Sequence, residues 1–170
     1  EQIRGLLEGG ADILLLETCF DALNTKAAIY ALRRIPEATD VPVMISASLS
    51  DKSGRTLTGQ TMEAFYRSVS HASPLSFGLN CSLGARDMIP LVADVSSWTE
   101  AAVSCHPNAG LPNEMGEYDE APEDTAAAIR EMALAGTVNI VGGCCGTTPG
   151  HIRAEALAVN SSASLDFSQE

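Results

Sequence analysis

Five short runs of apolar and β-branched residues recur along the chain at intervals of about 30 residues, and an amphipathic stretch follows each of the first four. The runs are Ala11 to Thr18, Val41 to Ser48, Leu75 to Asn80, Ala101 to His106 and Val138 to Gly142. The stretches between them are Leu23 to Arg34, Thr61 to His71, Ala85 to Trp98 and Glu123 to Ala135, flanked by turn residues such as Asp21, Gly59, Gly84 and Gly136. A strand followed by a helix every thirty residues or so makes parallel βαβ units. The near-continuous apolar character of the strands suits a sheet covered on both faces.

Two architectures accommodate that rhythm, an open doubly wound sheet and a (β/α)8 barrel. The doubly wound sheet gathers polar residues at one switch point, whereas the barrel places them at the C-terminal end of many strands around one mouth. Here every run ends polar: Glu17-Thr18, Ser46 with Ser48, Asn80-Cys81, His106 with Asn108, and Cys144-Cys145 beyond the fifth. The expectation is therefore an α/β fold of TIM-barrel type, present as a partial barrel of about five parallel strands. A full barrel runs to about 250 residues, so 170 residues correspond to its C-terminal portion. Residues 1–160 form that domain in this reading, and 161–170 a flexible tail. Pro107 to Pro122, rich in Pro, Gly, Asn and Glu, is too long for a plain turn and is expected to be a functional loop at one end of the sheet.

Ten Lys and Arg against 22 Asp and Glu leave a net charge of −12, which repels phosphate backbones and anionic lipid surfaces. Neither nucleic acid nor membrane is an expected partner, and no apolar run reaches the 18 or so residues that a membrane span needs. The first residues carry neither a start methionine nor a secretory pattern, and the expectation is that the sequence begins inside a longer protein. Five cysteines, an odd number without the spacing of a disulfide framework, point to a reducing cytoplasm and to thiols used for metal binding or catalysis.

Cys144 and Cys145 are adjacent and framed by Gly142-Gly143 and Gly146. Neighbouring side chains in a regular strand point to opposite faces, so both reach one metal only where the backbone leaves strand geometry, which glycine permits. A vicinal disulfide competes but is strained, because consecutive Cα atoms lie about 3.8 Å apart, below the usual disulfide range. Cys81 ends the third run and would share a mouth with the pair. Three thiolates suit Zn2+ and leave its fourth position to a substrate sulfur, which favours attack on an activated methyl carbon over hydrolysis. Simple packing is the alternative for all five cysteines, and the better one for Cys19 and Cys105. Bottom-up, Glu17 can pair with an ammonium or be satisfied by nearby backbone. Asn80 and Asn108 can orient a ligand or hold loops, His106 can serve substrate or loop, Asp21 reads as a helix N-cap, and Thr148-Pro149 opens a last helix. His71 and His151 need no chemical role.

Gly142-Gly143-Cys144-Cys145-Gly146-Thr147-Thr148-Pro149 together with Gly78-Leu79-Asn80-Cys81 resembles the metal signature of homocysteine S-methyltransferases. Leu16-Glu17-Thr18, Ser53 to Gln60, and His106 to Pro112 are similar to the homocysteine-binding module of cobalamin-dependent methionine synthases, and the likeness runs from about Glu1 to Asn160. The resemblance implies Zn2+ on Cys81, Cys144 and Cys145, homocysteine as the methyl acceptor, and Glu17 against its amino group. It further implies folate- and cobalamin-binding modules elsewhere in the same polypeptide, supplying methyl from methyltetrahydrofolate through cobalamin. Betaine or S-methylmethionine as donor, and a zinc-binding fragment without catalysis, remain the alternatives.

Overall fold

The structure, a computed structural model, describes residues 1–163. Strands β1 (Leu14–Cys19), β2 (Val43–Ala47), β3 (Ser76–Gly84), β4 (Ala102–Asn108) and β5 (Ile140–Val141) form one sheet in the order in which they occur in the chain. All four pairings are parallel. The helices are α1 (Gln2–Glu8), α2 (Ala22–Leu32), α3 (Met62–Val69), α4 (Ala85–Trp98), α5 (Pro122–Leu134) and α6 (Pro149–Ala163). Sequential strand order means that the sheet never reverses direction of growth, so it has no switch point. Right-handed crossovers then lay successive helices on one side of it, as in a barrel wall.

The two faces of the sheet differ in chemistry. Ile45 and Ala47, Phe77 and Leu79, and Val103 and Cys105 join one core with Phe65, Tyr66 and Val69 of α3, Met88, Val92 and Val95 of α4, and Ile129 and Met132 of α5. Intervening residues of the same strands carry small or polar side chains: Ser46, Ser76, Gly78, Asn80 and Ser104. Ser46, Ser76, Asn80 and Ser104 are all fully buried. The continuous apolar character read from the sequence thus belongs to the helix side, while the inner face alternates toward Ser, Gly and Asn. Gly78 shows how tightly that face curls, since a Cβ there would lie 1.8 Å from the carbonyl oxygen of Ser104.

Several elements differ from their expected limits. The helix α1 has no apolar stripe of its own beyond Ile3 and Leu7, which pack on a smaller core of Leu14, Leu32, Ile35 and Ala38. Strand β5 is only two residues long, because the amide of Asn139 takes over the pairing: its Oδ1 accepts from the backbone N–H of Val103 at 2.8 Å. Asp21 caps α2 as expected, accepting from the N–H of Asn24. The helix α6 continues through Ala163, and residues 164–170 of the expected tail lie outside the described residues. No helix among the described residues is long and apolar enough to cross a membrane.

Glu155 of α6 is 2% exposed, and its Oε1 finds no hydrogen-bond partner among the described residues. Burial pushes its carboxyl up from the ordinary 4.5 to about 7. The folded chain therefore holds a proton that the unfolded chain releases between those two values, so this residue lowers stability as pH rises through the window and keeps it low above. Glu155→Gln is expected to stabilise the chain by roughly 1–3 kcal/mol at pH 8 and by little at pH 4.5. Urea unfolding at both pH values is the check, and equal gains would exclude the buried charge as the cause.

Candidate metal centre

The sulfur atoms of Cys81, Cys144 and Cys145 all lie within 4.8 Å of one another. Cys81 Sγ is 3.7 Å from Cys145 Sγ, and Cys144 Sγ is 4.0 Å from Cys145 Sγ. A disulfide bond is about half that length, and all five cysteines are free thiols. Sulfurs at two corners of a zinc tetrahedron with bonds near 2.3 Å stand about 3.8 Å apart. The spacing therefore matches three sulfurs sharing one tetrahedral cation.

A bulge at the C-terminal end of β3 sets the position of one of these atoms, and a second irregularity lies beside it at the end of β1. Between Asn80 and Gly84, β3 carries two more residues than the facing part of β4, and the ladder shifts register. Cys81 and Ser82 take left-handed backbone there, with φ of 63° and 68°, which turns the thiol out of the pleat. Ser82 fastens the bulge: its hydroxyl donates to the carbonyl of Leu49 at 2.6 Å and so accepts from Ser48 Oγ at 2.9 Å. In β1 the register shifts between Leu16 and Cys19, and Thr18 is left-handed with φ 58°. For a β-branched residue that conformation costs of order 1–3 kcal/mol and needs neighbours that enforce it.

Asn80 is that neighbour. Fully buried, it accepts at Oδ1 from the Thr18 backbone N–H (3.1 Å) and the Ser46 hydroxyl (2.8 Å). Its Nδ2 donates to Thr18 Oγ1 at 2.9 Å and reaches Cys144 Sγ at 3.8 Å. The backbone donor at Thr18 fixes which end of the amide is oxygen, and all four hydrogen-bonding positions of the side chain are used. Asn108 serves the other cysteine, its Oδ1 accepting from the backbone N–H of Cys145 at 3.1 Å. The segment carrying the pair is strapped along β4 by Cys144 N–H to the Pro107 carbonyl (2.7 Å) and Ala109 N–H to the Cys145 carbonyl (2.9 Å).

Electrostatics favour a cation among the sulfurs. Burial pushes the Cys144 thiol up to about 11; the Asn80 hydrogen bond pulls the other way, and Cys81 and Cys145 add to the rise. Three thiolates this close repel one another, and a divalent cation between them removes that cost. The donor set and its spacing fit such an ion. Cys105 stands apart, its thiol fully buried, raised to about 12 by burial and pointed at Met88 Sδ at 3.7 Å. Cys19 hydrogen-bonds the Leu16 carbonyl at 3.5 Å. Both are packing residues.

A family model for homocysteine S-methyltransferases matches residues 1–159. The chain belongs to this family. Its fold is also that of the homocysteine methyltransferase MmuM from Escherichia coli, solved in three forms. The apo form matches with a TM-score of 0.70 at 19% identity, over 92% of this chain and 53% of that one. The oxidized form gives 0.75 at 20% and the metallated form 0.74 at 21%, each over 92% of this chain and 48% of the other. The chain thus spans about half the length of these proteins, and the five-stranded sheet is the corresponding part of a TIM-barrel-like fold.

Glu17 lies near the C-terminal end of β1, half-exposed, with Oε1 3.9 Å from His106 Nδ1. Burial lowers the pKa of His106 and Glu17 only partly opposes this, so the imidazole is neutral at pH 7. His151 does structural work: its Nε2 donates to the Glu120 carbonyl at 2.9 Å, which leaves Nδ1 to accept from Thr148 at the start of α6. Sequence reasoning named Thr18 and Ser46 only as polar strand ends and passed over Ser82; the bonds these residues make exist only across strands.

Asn80→Leu keeps the approximate volume and removes every bond of the amide, leaving the Thr18 N–H and the Ser46 hydroxyl unpaired. The expected loss is about 2–4 kcal/mol in urea unfolding. A loss below about 1 kcal/mol would mean that Thr18 and Ser46 do not depend on the amide.

Proposed function

We propose that this chain is the zinc-bearing portion of a homocysteine S-methyltransferase of methionine synthase type, with homocysteine as acceptor and methyl reaching it from methyltetrahydrofolate through cobalamin held on other modules of the same polypeptide. The observation that carries this reading is the triangle of Cys81, Cys144 and Cys145 sulfurs at tetrahedral spacing in a chain of this family. Cytoplasmic residence goes with it, since five free cysteines belong in a reducing compartment.

Cys81, Cys144 and Cys145 would hold zinc, which would supply a Lewis acid able to lower the pKa of a substrate thiol. The chain's own residues do the rest. Cys81, Cys144 and Cys145 would present the cation with three sulfur donors. Asn80 and Asn108 hold the adjacent pair in register, one through a sulfur and one through a backbone N–H. The Glu17 carboxylate, half-exposed near the C-terminal end of β1, suits the homocysteine ammonium. Neutral His106 beside it adds no cation to compete for that carboxylate. In the transfer the homocysteine sulfur forms a bond to the methyl carbon, the bond from carbon to the donor breaks, and its electron pair stays with the donor.

Zinc stoichiometry and zinc-edge spectroscopy test the proposal. One zinc per chain with three sulfurs is expected, rising to four sulfurs when homocysteine is added. Cys145→Ala is expected to weaken zinc by more than a hundredfold. A coordination shell unchanged by homocysteine, or zinc retained by Cys145→Ala at unchanged affinity, overturns the reading.

A further inference from the structure

The loop between β2 and α3 carries no sulfur ligand, yet it is built to stay still. Ser50 N–H donates to the Arg55 carbonyl at 2.8 Å and Thr56 N–H to the Gln60 carbonyl at 2.9 Å, while Asp51 Oδ1 accepts from the N–H of Ser53 at 2.7 Å. At its start Ser48 N–H donates to the Cys19 carbonyl of β1 at 2.9 Å, and Leu49 is buried in the main core together with Leu83 of β3. Further along, Lys52 meets Asp87, in the first turn of α4, at 2.8 Å. The carbonyl of Leu49 is therefore a fixed point, tied to β1, to the core and to α4.

That point lies against the bulge of β3. Asn80 and Leu83 are both buried, so the chain between them cannot slide, and its freedom is confined to the backbone of Cys81 and Ser82. Both are left-handed, with φ of 63° and 68°, a conformation that residues other than glycine avoid unless neighbours enforce it. The enforcing bonds belong to the Ser82 hydroxyl, which donates to the Leu49 carbonyl at 2.6 Å and accepts from Ser48 Oγ at 2.9 Å. Regular strand geometry would send Cys81 to the face opposite Asn80, away from Cys145. Cys144 has the Asn80 amide on its sulfur and Cys145 has Asn108 on its N–H, whereas the Cys81 sulfur finds hydrogen-bonding partners only among the other thiols. Its place is set through its backbone.

We propose that Ser82 is a positioning residue of the sulfur site, acting on Cys81 through the left-handed bulge, and that the loop from Ser48 to Thr61 is the mount it acts against. The assignment rests on the reading of the three cysteines as metal ligands. Without the hydroxyl the bulge relaxes toward extended backbone, the Cys81 thiol swings away, and the cation keeps two of its three protein sulfurs. Ser53 to Gln60, one of the stretches that carry the family likeness, thereby gains a supporting role.

Zinc affinity of the 170-residue chain, measured against a chromophoric chelator, is expected to fall roughly tenfold in Ser82→Ala, about the size of one net hydrogen bond. Zinc-edge spectra of that variant are expected to show fewer than three protein sulfurs. Ser82→Gly also lacks the hydroxyl but takes a left-handed φ without strain, and is expected to bind more nearly as the parent does. In a chain already carrying Cys81→Ala, Ser82→Ala is expected to change affinity by less than about twofold, because the sulfur through which it acts is gone. Lower urea stability in Ser82→Ala with the parent's affinity and three sulfurs would reduce the residue to a fold support and overturn the proposal. A further tenfold fall on top of Cys81→Ala, or Ser82→Gly binding as weakly as Ser82→Ala, would overturn it too. If Ser82→Ala fails to fold, Ser48→Ala removes one of the two bonds and is expected to weaken zinc about threefold; unchanged affinity there counts equally against the proposal. A parent chain that binds no zinc would overturn the metal site itself, and this assignment with it.

Discussion

One amide holds the C-terminal end of this sheet in place. Asn80 touches β1 through Thr18, β2 through Ser46 and the segment after β5 through Cys144, so a single side chain joins four stretches that are far apart in the chain. It is fully buried, where each of its bonds is strengthened by the low polarity around it and each missing bond would be costly. The left-handed turn at Thr18 is held by two of those bonds. The position of Cys144 is held by another. If the network loosened, both the end of β1 that carries Glu17 and the sulfur geometry would drift together.

The strain that the network contains is local and sits where the sulfurs meet. Three non-glycine residues with positive φ, Thr18, Cys81 and Ser82, lie at the C-terminal ends of β1 and β3. A regular strand would send Asn80 and Cys81 to opposite faces. The bulge breaks that rule, so the amide stays in the interior while the neighbouring thiol turns to meet Cys145. Backbone held in a costly conformation by surrounding hydrogen bonds is how a fold pre-sets a binding geometry before any ligand arrives.

Much of this was legible from residues alone. Five strand-like runs, the order of elements and polar strand ends led to the parallel sheet and its barrel-like winding, and the vicinal cysteines in their glycine frame led to the same three sulfurs that the structure gathers. The bulges were not legible. Asn80-Cys81-Ser82-Leu83-Gly84 carries no glycine where the backbone turns left-handed, so no local signal announces the turn; it is imposed by Ser82 and by partners more than thirty residues away. The shortness of β5 was hidden as well, since Asn139 substitutes a side-chain bond for a ladder bond.

What the sequence by itself determined is the set of elements and the chemistry of each end: hydrophobic periodicity selects strand or helix locally, and the identity of a side chain fixes its ligand character whatever surrounds it. The tertiary structure alone decided which polar atoms share a site, at what distance, and which of Asn80 and Asn108 stands beside which cysteine. The physical reason is range. Propensity and periodicity act over a few residues, whereas a hydrogen bond or a metal ligand set closes loops of sixty residues, and that closure depends on how strands twist, bulge and pack.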